Sequence, residues 1–137
     1  MSGLSNQFIN KKILIYGFGK TGKACFNYLK TKNTVKIFDD HKKNIKESIS
    51  KRSLRSYDFD IILISPGIDL NKCNLSNFLK KNKKKIINEL DVFYLNNLEN
   101  KKITITGTNG KSTTCQMLYN IFKLKNLDVR LVGNIGK

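Results

Sequence analysis

Glycine, lysine and hydroxyl side chains gather at one point of the chain, Gly107-Thr108-Asn109-Gly110-Lys111-Ser112-Thr113. The β-branched run Ile103-Thr104-Ile105-Thr106 precedes them, and an amphipathic helical pattern follows. Strand, glycine loop and helix in that order predict a phosphate-binding loop. Glycines let the backbone turn tightly, so that successive N–H groups point inward as an anion nest. The helix start adds its positive dipole end. Lys111 is placed to neutralise the outer phosphates of a nucleotide such as ATP. Ser112, or alternatively Thr113, offers a hydroxyl to Mg²⁺, a hard cation that takes oxygen ligands. The loop is shorter than the common G-x-x-x-x-G-K-[ST] pattern, which would need glycine where Ile105 stands. An ordinary strand-to-helix turn is the competing reading, disfavoured because all three local signals agree.

A second glycine turn lies near the start. The apolar run Ile13–Tyr16 predicts a buried parallel strand, and Gly17-Phe18-Gly19-Lys20-Thr21-Gly22 is a full G-x-G-x-x-G. A helical pattern follows, with Ala24, Cys25, Tyr28 and Leu29 expected on its apolar face. A second strand, Thr34–Phe38, ends at Asp39-Asp40. Asp39 stands about twenty residues past the turn, where an acid can bond a ribose hydroxyl. This unit predicts a dinucleotide-binding type of fold without choosing the ligand, since NAD, FAD and a UDP-sugar all carry a diphosphate. The third strand, around 60–65, ends in Ser65-Pro66-Gly67-Ile68. That turn falls at the carboxyl edge of a parallel sheet, where ligands bind; a plain loop fits equally well.

These elements imply an α/β chain: a Rossmann-like parallel sheet domain over residues 1–97, a polar linker over 98–101, and the first β-loop-α-β unit of a P-loop ATPase domain over 102–137. Between strands two and three, residues 41–58 predict a charged helical crossover around Ile45, Ile49 and Leu54. A helix is expected near Leu75–Leu79, a fourth strand at Lys85–Asn88, and a helix at Glu89–Leu95 with Leu90, Phe93 and Tyr94 as its apolar face. In the last unit Cys115, Leu118, Ile121 and Phe122 are expected toward a core. A final strand is expected at Asp128–Val132. A single such unit cannot cover both faces of a sheet, which leads to the expectation of a partial chain.

The composition narrows the classes. No apolar run is long enough to span a membrane and no leader-like segment is visible, so the expected setting is cytoplasmic. Cys25, Cys73 and Cys115 are odd in number and widely spaced, which predicts reduced thiols rather than disulfides or a zinc site. The net charge of +16 comes from 26 Lys and Arg against 10 Asp and Glu, but only Arg52, Arg55 and Arg130 are arginines. Arginine is the better base reader, so the charge is expected to be solvated surface that favours anionic small molecules, with no nucleic-acid partner.

G-T-N-G-K-S-T after a strand resembles the ATP loop of the Mur ligases and their folylpolyglutamate synthase relatives. Gly17–Gly22, Ser65–Ile68, Glu89-Leu90-Asp91-Val92-Phe93 and Gly133-Asn134-Ile135-Gly136 occur in the order of the D-glutamate-adding branch of that family. The resemblance spans residues 12–137. It implies ATP and Mg²⁺ at Gly107, Thr108, Asn109, Gly110, Lys111, Ser112 and Thr113, with Lys111 as the catalytic cation. It implies a uridine diphosphate site at Gly19, Lys20, Thr21, Asp39, Ser65 and Gly67, reached also by Asn134. The implied reaction joins D-glutamate to UDP-N-acetylmuramoyl-L-alanine through an acyl phosphate, in a monomeric enzyme. The implied metal-binding carboxylate, histidine and modified lysine would lie beyond Lys137, so the chain alone is expected to be inactive. An NAD-dependent oxidoreductase is the rival reading, favoured by Gly17–Gly22 and Asp39 but without use for a phosphate loop. Another member of the same family is the second rival.

Overall fold

Four short apolar runs form the strands, because alternate residues of each can bury on opposite faces. The computed structural model describes residues 6–42 and 44–133. These fall into two units, Met1–Glu99 and Asn100–Lys137. In the first unit β1 (Lys12–Tyr16), β2 (Thr34–Phe38), β3 (Ile61–Ile64) and β4 (Ile86–Ile87) make one sheet in the order β2-β1-β3-β4. Every pairing is parallel, with Ile15 opposite both Ile37 and Leu63, and Leu63 opposite Ile87. The Rossmann-like class expected from the sequence is present.

Pleat alternation explains the two cores. Ile13, Ile15, Val35 and Leu63 pack with Phe8, Cys25, Leu29 and Val92 on one face. Leu14, Tyr16, Ile62 and Ile64 pack with Leu54, Phe59, Leu75 and Leu79 on the other. Helices α1 (Lys20–Leu29) and α3 (Glu89–Asn96) supply the first face, and α2 (Ser76–Lys81) supplies the second. Asn33 ties the amino end together: its Oδ1 accepts from the Lys11 N–H at 2.9 Å, and its Nδ2 donates to the carbonyls of Phe8 at 2.7 Å and Leu29 at 2.8 Å.

Several expectations are corrected. Residues 41–58 form no α-helix where described. Instead Ile37 N–H donates to Glu47 O and Ile49 N–H donates to Ile37 O, making an isolated parallel bridge beside β2, and only Ser53–Ser56 turns as a 3-10 helix. The free edge of β2 offers ladder groups that capture this extended segment. On α1 the buried stripe is Gly22, Cys25 and Leu29, while Ala24 and Tyr28 are exposed. On α3 the outward residues are Leu90 at 66%, Phe93 at 41% and Tyr94 at 55% exposure, whereas Val92 is at 5%. Val92 and Leu95 pack on the core instead, and a capping box starts the helix: Asn88 Oδ1 accepts from Leu90 and Asp91 N–H, and Asp91 Oδ2 accepts from Asn88 N–H.

In the second unit the one regular element among the described residues is α4 (Lys111–Leu124). The strands expected at 103–106 and 128–132 are not formed. A strand exists only as one side of a ladder, and neither segment has a ladder partner among the described residues. Cys115, Leu118, Tyr119 and Phe122 form a half-buried stripe on α4, and Ile121 is exposed.

Candidate functional site

The carboxyl ends of three neighbouring strands are stitched together at Gly17. Beyond Tyr16 the backbone turns with φ +93° at Gly17, a left-handed conformation suited to glycine. Gly17 N–H donates to Phe38 O at 2.8 Å, at the end of β2. From the end of β3, Ser65 N–H donates to Tyr16 O at 3.0 Å and Ser65 Oγ donates to Gly17 O at 2.9 Å. A Cβ on Gly17 would stand 2.9 Å from the Ser65 side chain. The third glycine is more constrained still, since a Cβ on Gly22 would lie 2.0 Å from Gly17 O. Gly22 therefore lets α1 approach the strand end closely.

The second glycine, Gly19, faces open space. It is the N-cap of α1 and no side chain caps that helix, so first-turn N–H groups at Lys20 and Thr21 have no intrahelical acceptor. The turn Ser65–Ile68 closes with Ile68 N–H donating to Ser65 O at 3.0 Å, and Gly67 also faces open space. Because β1 lies between β2 and β3, the connections leaving β1 and β3 run in opposite directions here, the switch point at which α/β sheets bind ligands. Gly19, Lys20, Thr21, Asp39, Ser65 and Gly67 all come to this edge. Asn134 lies outside the described residues.

Asp39 is already engaged. Its Oδ2 accepts from Phe18 N–H at 2.6 Å, and its Oδ1 accepts from His41 and Lys42 N–H, each at 2.9 Å. Lys42 Nζ donates to Phe18 O at 2.9 Å across the same turn. Burial pushes the Asp39 carboxyl up, but the three backbone donors and the Lys42 charge outweigh it and hold the group below its ordinary value. Asp39 thus organises the glycine turn, and any ribose contact would use its remaining lone pairs. A folded-state pKa below the unfolded value near 3.9 contributes stability above about pH 4, lost as pH falls through the folded pKa. Asp39→Asn should therefore melt below wild type at pH 7, with the gap closing as pH drops below about 4. Thermal melts across pH 2.5–7 check this, and a gap constant with pH contradicts it.

Asp40, adjacent to Asp39, was not singled out by the sequence motifs. Its Oδ2 accepts from the Tyr16 hydroxyl at 2.6 Å and its Oδ1 from Asn74 Nδ2 at 2.8 Å. The available signal was a tyrosine as the last residue of an otherwise aliphatic strand: a buried phenol needs a polar partner at its tip. Burial, with Asp40 beside it, pushes the Tyr16 hydroxyl far up, so it stays a donor.

The second unit carries the phosphate-loop candidates. Gly107 has φ +150° and Gly110 has φ +74°, and Gly110 is the N-cap of α4 with no side-chain cap. Thr114 N–H and Oγ1 both donate to Gly110 O, at 2.9 and 3.0 Å. Lys111 Nζ folds back to donate to the carbonyls of Gly107 and Thr108. Thr108, Asn109, Ser112 and Thr113 are exposed around it. The donor set fits a phosphate: open first-turn N–H groups, one cation resting on two neutral carbonyls, and the hydroxyls of Ser112 and Thr113. Among the described residues no three His, Cys, Asp or Glu side chains gather as a metal cage. Magnesium at this loop would therefore rest on phosphate oxygens, water and a hydroxyl of Ser112 or Thr113. No helix among the described residues is long and apolar enough to cross a membrane.

The four-stranded parallel sheet, with helices on both faces and its strand order switching at β1, defines an α/β protein of the Rossmann-like class. Along nearly all of its length the chain is similar to proteins named UDP-N-acetylmuramoylalanine–D-glutamate ligase. It is 35% identical over 140 residues to the one from Rickettsia conorii, covering 96% of this chain and 28% of the relative. It is 40% identical over 134 residues to the one from Francisella philomiragia, covering 94% and 31%. For Francisella tularensis the figures are 41% over 129 residues, 91% and 29%. The chain thus spans about three-tenths of the length of these curated relatives. No family model matches it.

Proposed function

We propose that the chain is the UDP-binding and ATP-loop part of a ligase that adds D-glutamate to UDP-N-acetylmuramoyl-L-alanine in peptidoglycan precursor synthesis, in the cytoplasm. The observation that carries this reading is the similarity along nearly the whole chain to ligases bearing that name. It is supported by two phosphate-type turns on one chain, Gly17–Gly22 and Gly107–Ser112. Residues 1–97 would hold the nucleotide end of the substrate, 98–101 would link, and 102–137 would open the ATP-binding domain.

In this reading the diphosphate meets the first-turn N–H groups of α1 at Gly19, Lys20 and Thr21, with the Lys20 charge beside it and Ser65 and Gly67 forming the opposite wall. ATP is a substrate: its phosphates would lie in the loop Gly107–Thr113, where Lys111 leaves the Gly107 and Thr108 carbonyls for the transferring phosphoryl group. Magnesium, held by Ser112 or Thr113, would supply charge neutralisation on the phosphate oxygens. The loop's contribution is positioning and electrostatics, which dominate phosphoryl transfer. An acyl phosphate on the L-alanyl carboxylate then gives the amide when the D-glutamate amine attacks and phosphate leaves.

Calorimetric titration tests the nucleotide half. UDP should bind more tightly than NAD, and Lys20→Ala should weaken UDP. Tighter binding of NAD overturns the ligase reading in favour of a dinucleotide oxidoreductase.

A further inference from the structure

The structure assigns to Asp40 a role as a positioning residue for nucleotide binding, a clamp that holds the turn after β2 against the loop after β3 across the end of β1. This rests on the proposed nucleotide reading of the carboxyl edge of the sheet. Asp39 and Asp40 stand side by side in the turn just past β2, and each reaches a different set of partners. Asp39 grips the glycine turn through Phe18 N–H, while Asp40 accepts from the Tyr16 hydroxyl and Asn74. The turn is therefore held from both sides.

Both Asp40 oxygens are taken by protein donors, at 2.6 and 2.8 Å. Tyr16 is fully buried, braced edge-on by Phe38 at 5.3 Å between ring centroids, so its hydroxyl tip is a fixed post. Asn74 belongs to a loop that is itself folded, with Asp69 Oδ1 accepting from Asn71 N–H and Cys73 N–H donating to Asp69 O. Asp40 thus connects two rigid supports to the one turn that carries Asp39. A displaced turn would shift Asp39, and with it the Phe18 N–H and the Gly17–Gly19 path that the diphosphate must meet. Tyr16 itself is sealed from ligand, so any effect of its hydroxyl on binding must pass through the groups at its tip, Asp40 and, beside it, the Cys73 thiol.

UDP titration of the chain Met1–Lys137 and its variants, with thermal melts alongside, tests the clamp. Asp40→Ala should weaken UDP about tenfold, and Tyr16→Phe, which opens no cavity, about threefold. The double variant should be no weaker than Asp40→Ala alone, because both act on one connection. Asp40→Asn should stay within about twofold of wild type: its amide nitrogen can donate to the Tyr16 oxygen while its carbonyl accepts from Asn74. That rescue separates positioning from charge. If Asp40→Asn loses as much affinity as Asp40→Ala, or Tyr16→Phe binds UDP like wild type, the clamp is refuted. If Asp40→Ala does not fold, Tyr16→Phe and Asp40→Asn still decide. A wild-type chain that binds no UDP overturns the nucleotide reading and the clamp with it; wild-type binding with unchanged variants overturns the clamp alone.

Discussion

Gly22→Ala should destabilise the Met1–Glu99 unit by about 3 kcal/mol or more, enough to unfold a marginal domain. The new methyl would sit 2.0 Å from Gly17 O and 3.0 Å from Gly17 C, both backbone atoms. Neither can swing aside as a side chain would. Gly17 is pinned by its N–H to Phe38 O and by Ser65 Oγ on its own carbonyl. Relief would require α1 to move off the sheet, opening the core around Cys25 and Leu29. Gly19→Ala is the matched control, since its Cβ meets nothing within 4 Å; its loss should stay within about 1 kcal/mol. Urea unfolding distinguishes them by midpoint at similar slope. Equal midpoints for the two variants would mean that α1 does not approach Gly17 as described.

No D-glutamate-dependent phosphate release is expected from the chain Met1–Lys137 alone with ATP, Mg²⁺ and UDP-N-acetylmuramoyl-L-alanine. On the proposed reading the loop Gly107–Thr113 supplies a phosphate cradle, the Lys111 cation and a hydroxyl. The ligation also needs an amine held in line with the acyl carbon. The chain spans about three-tenths of the named ligases' length, and none of its proposed sites is for the amino acid. Orientation of that kind accounts for roughly 7–11 kcal/mol of barrier, so its loss takes turnover below detection. Supplying the remaining segments of such a ligase should restore release, and Lys111→Ala should abolish it again. Turnover by the chain alone that vanishes in Lys111→Ala would show that the reaction centre is already complete within it.

Local chemistry determined much of this protein in the sequence itself. The runs at 13–16 and 60–65 declared buried strands because apolar side chains on both faces suit only a covered sheet, whereas Thr34–Phe38, with Thr34 and Lys36 on one face, declared a strand but not its burial. The glycine turn after β1 was equally legible, since a tight loop between strand and helix leaves few residue choices. What depended on non-local partners was not. The segment around Ile45–Ile49 carried a helical pattern, yet the open edge of β2 drew Glu47 and Ile49 into a bridge with Ile37. The apolar residues of α3 pointed to the wrong side, since Val92 and Leu95 pack on the core while Leu90, Phe93 and Tyr94 face outward. Asp39 matched a ribose-binding position by spacing, but only the folded turn brought the Phe18, His41 and Lys42 amides onto its oxygens. The join between Tyr16, Asp40 and Asn74 is made of contacts 24 and 34 residues apart in sequence. No window of sequence contains it, and it exists because parallel strands deliver all their carboxyl ends to one edge.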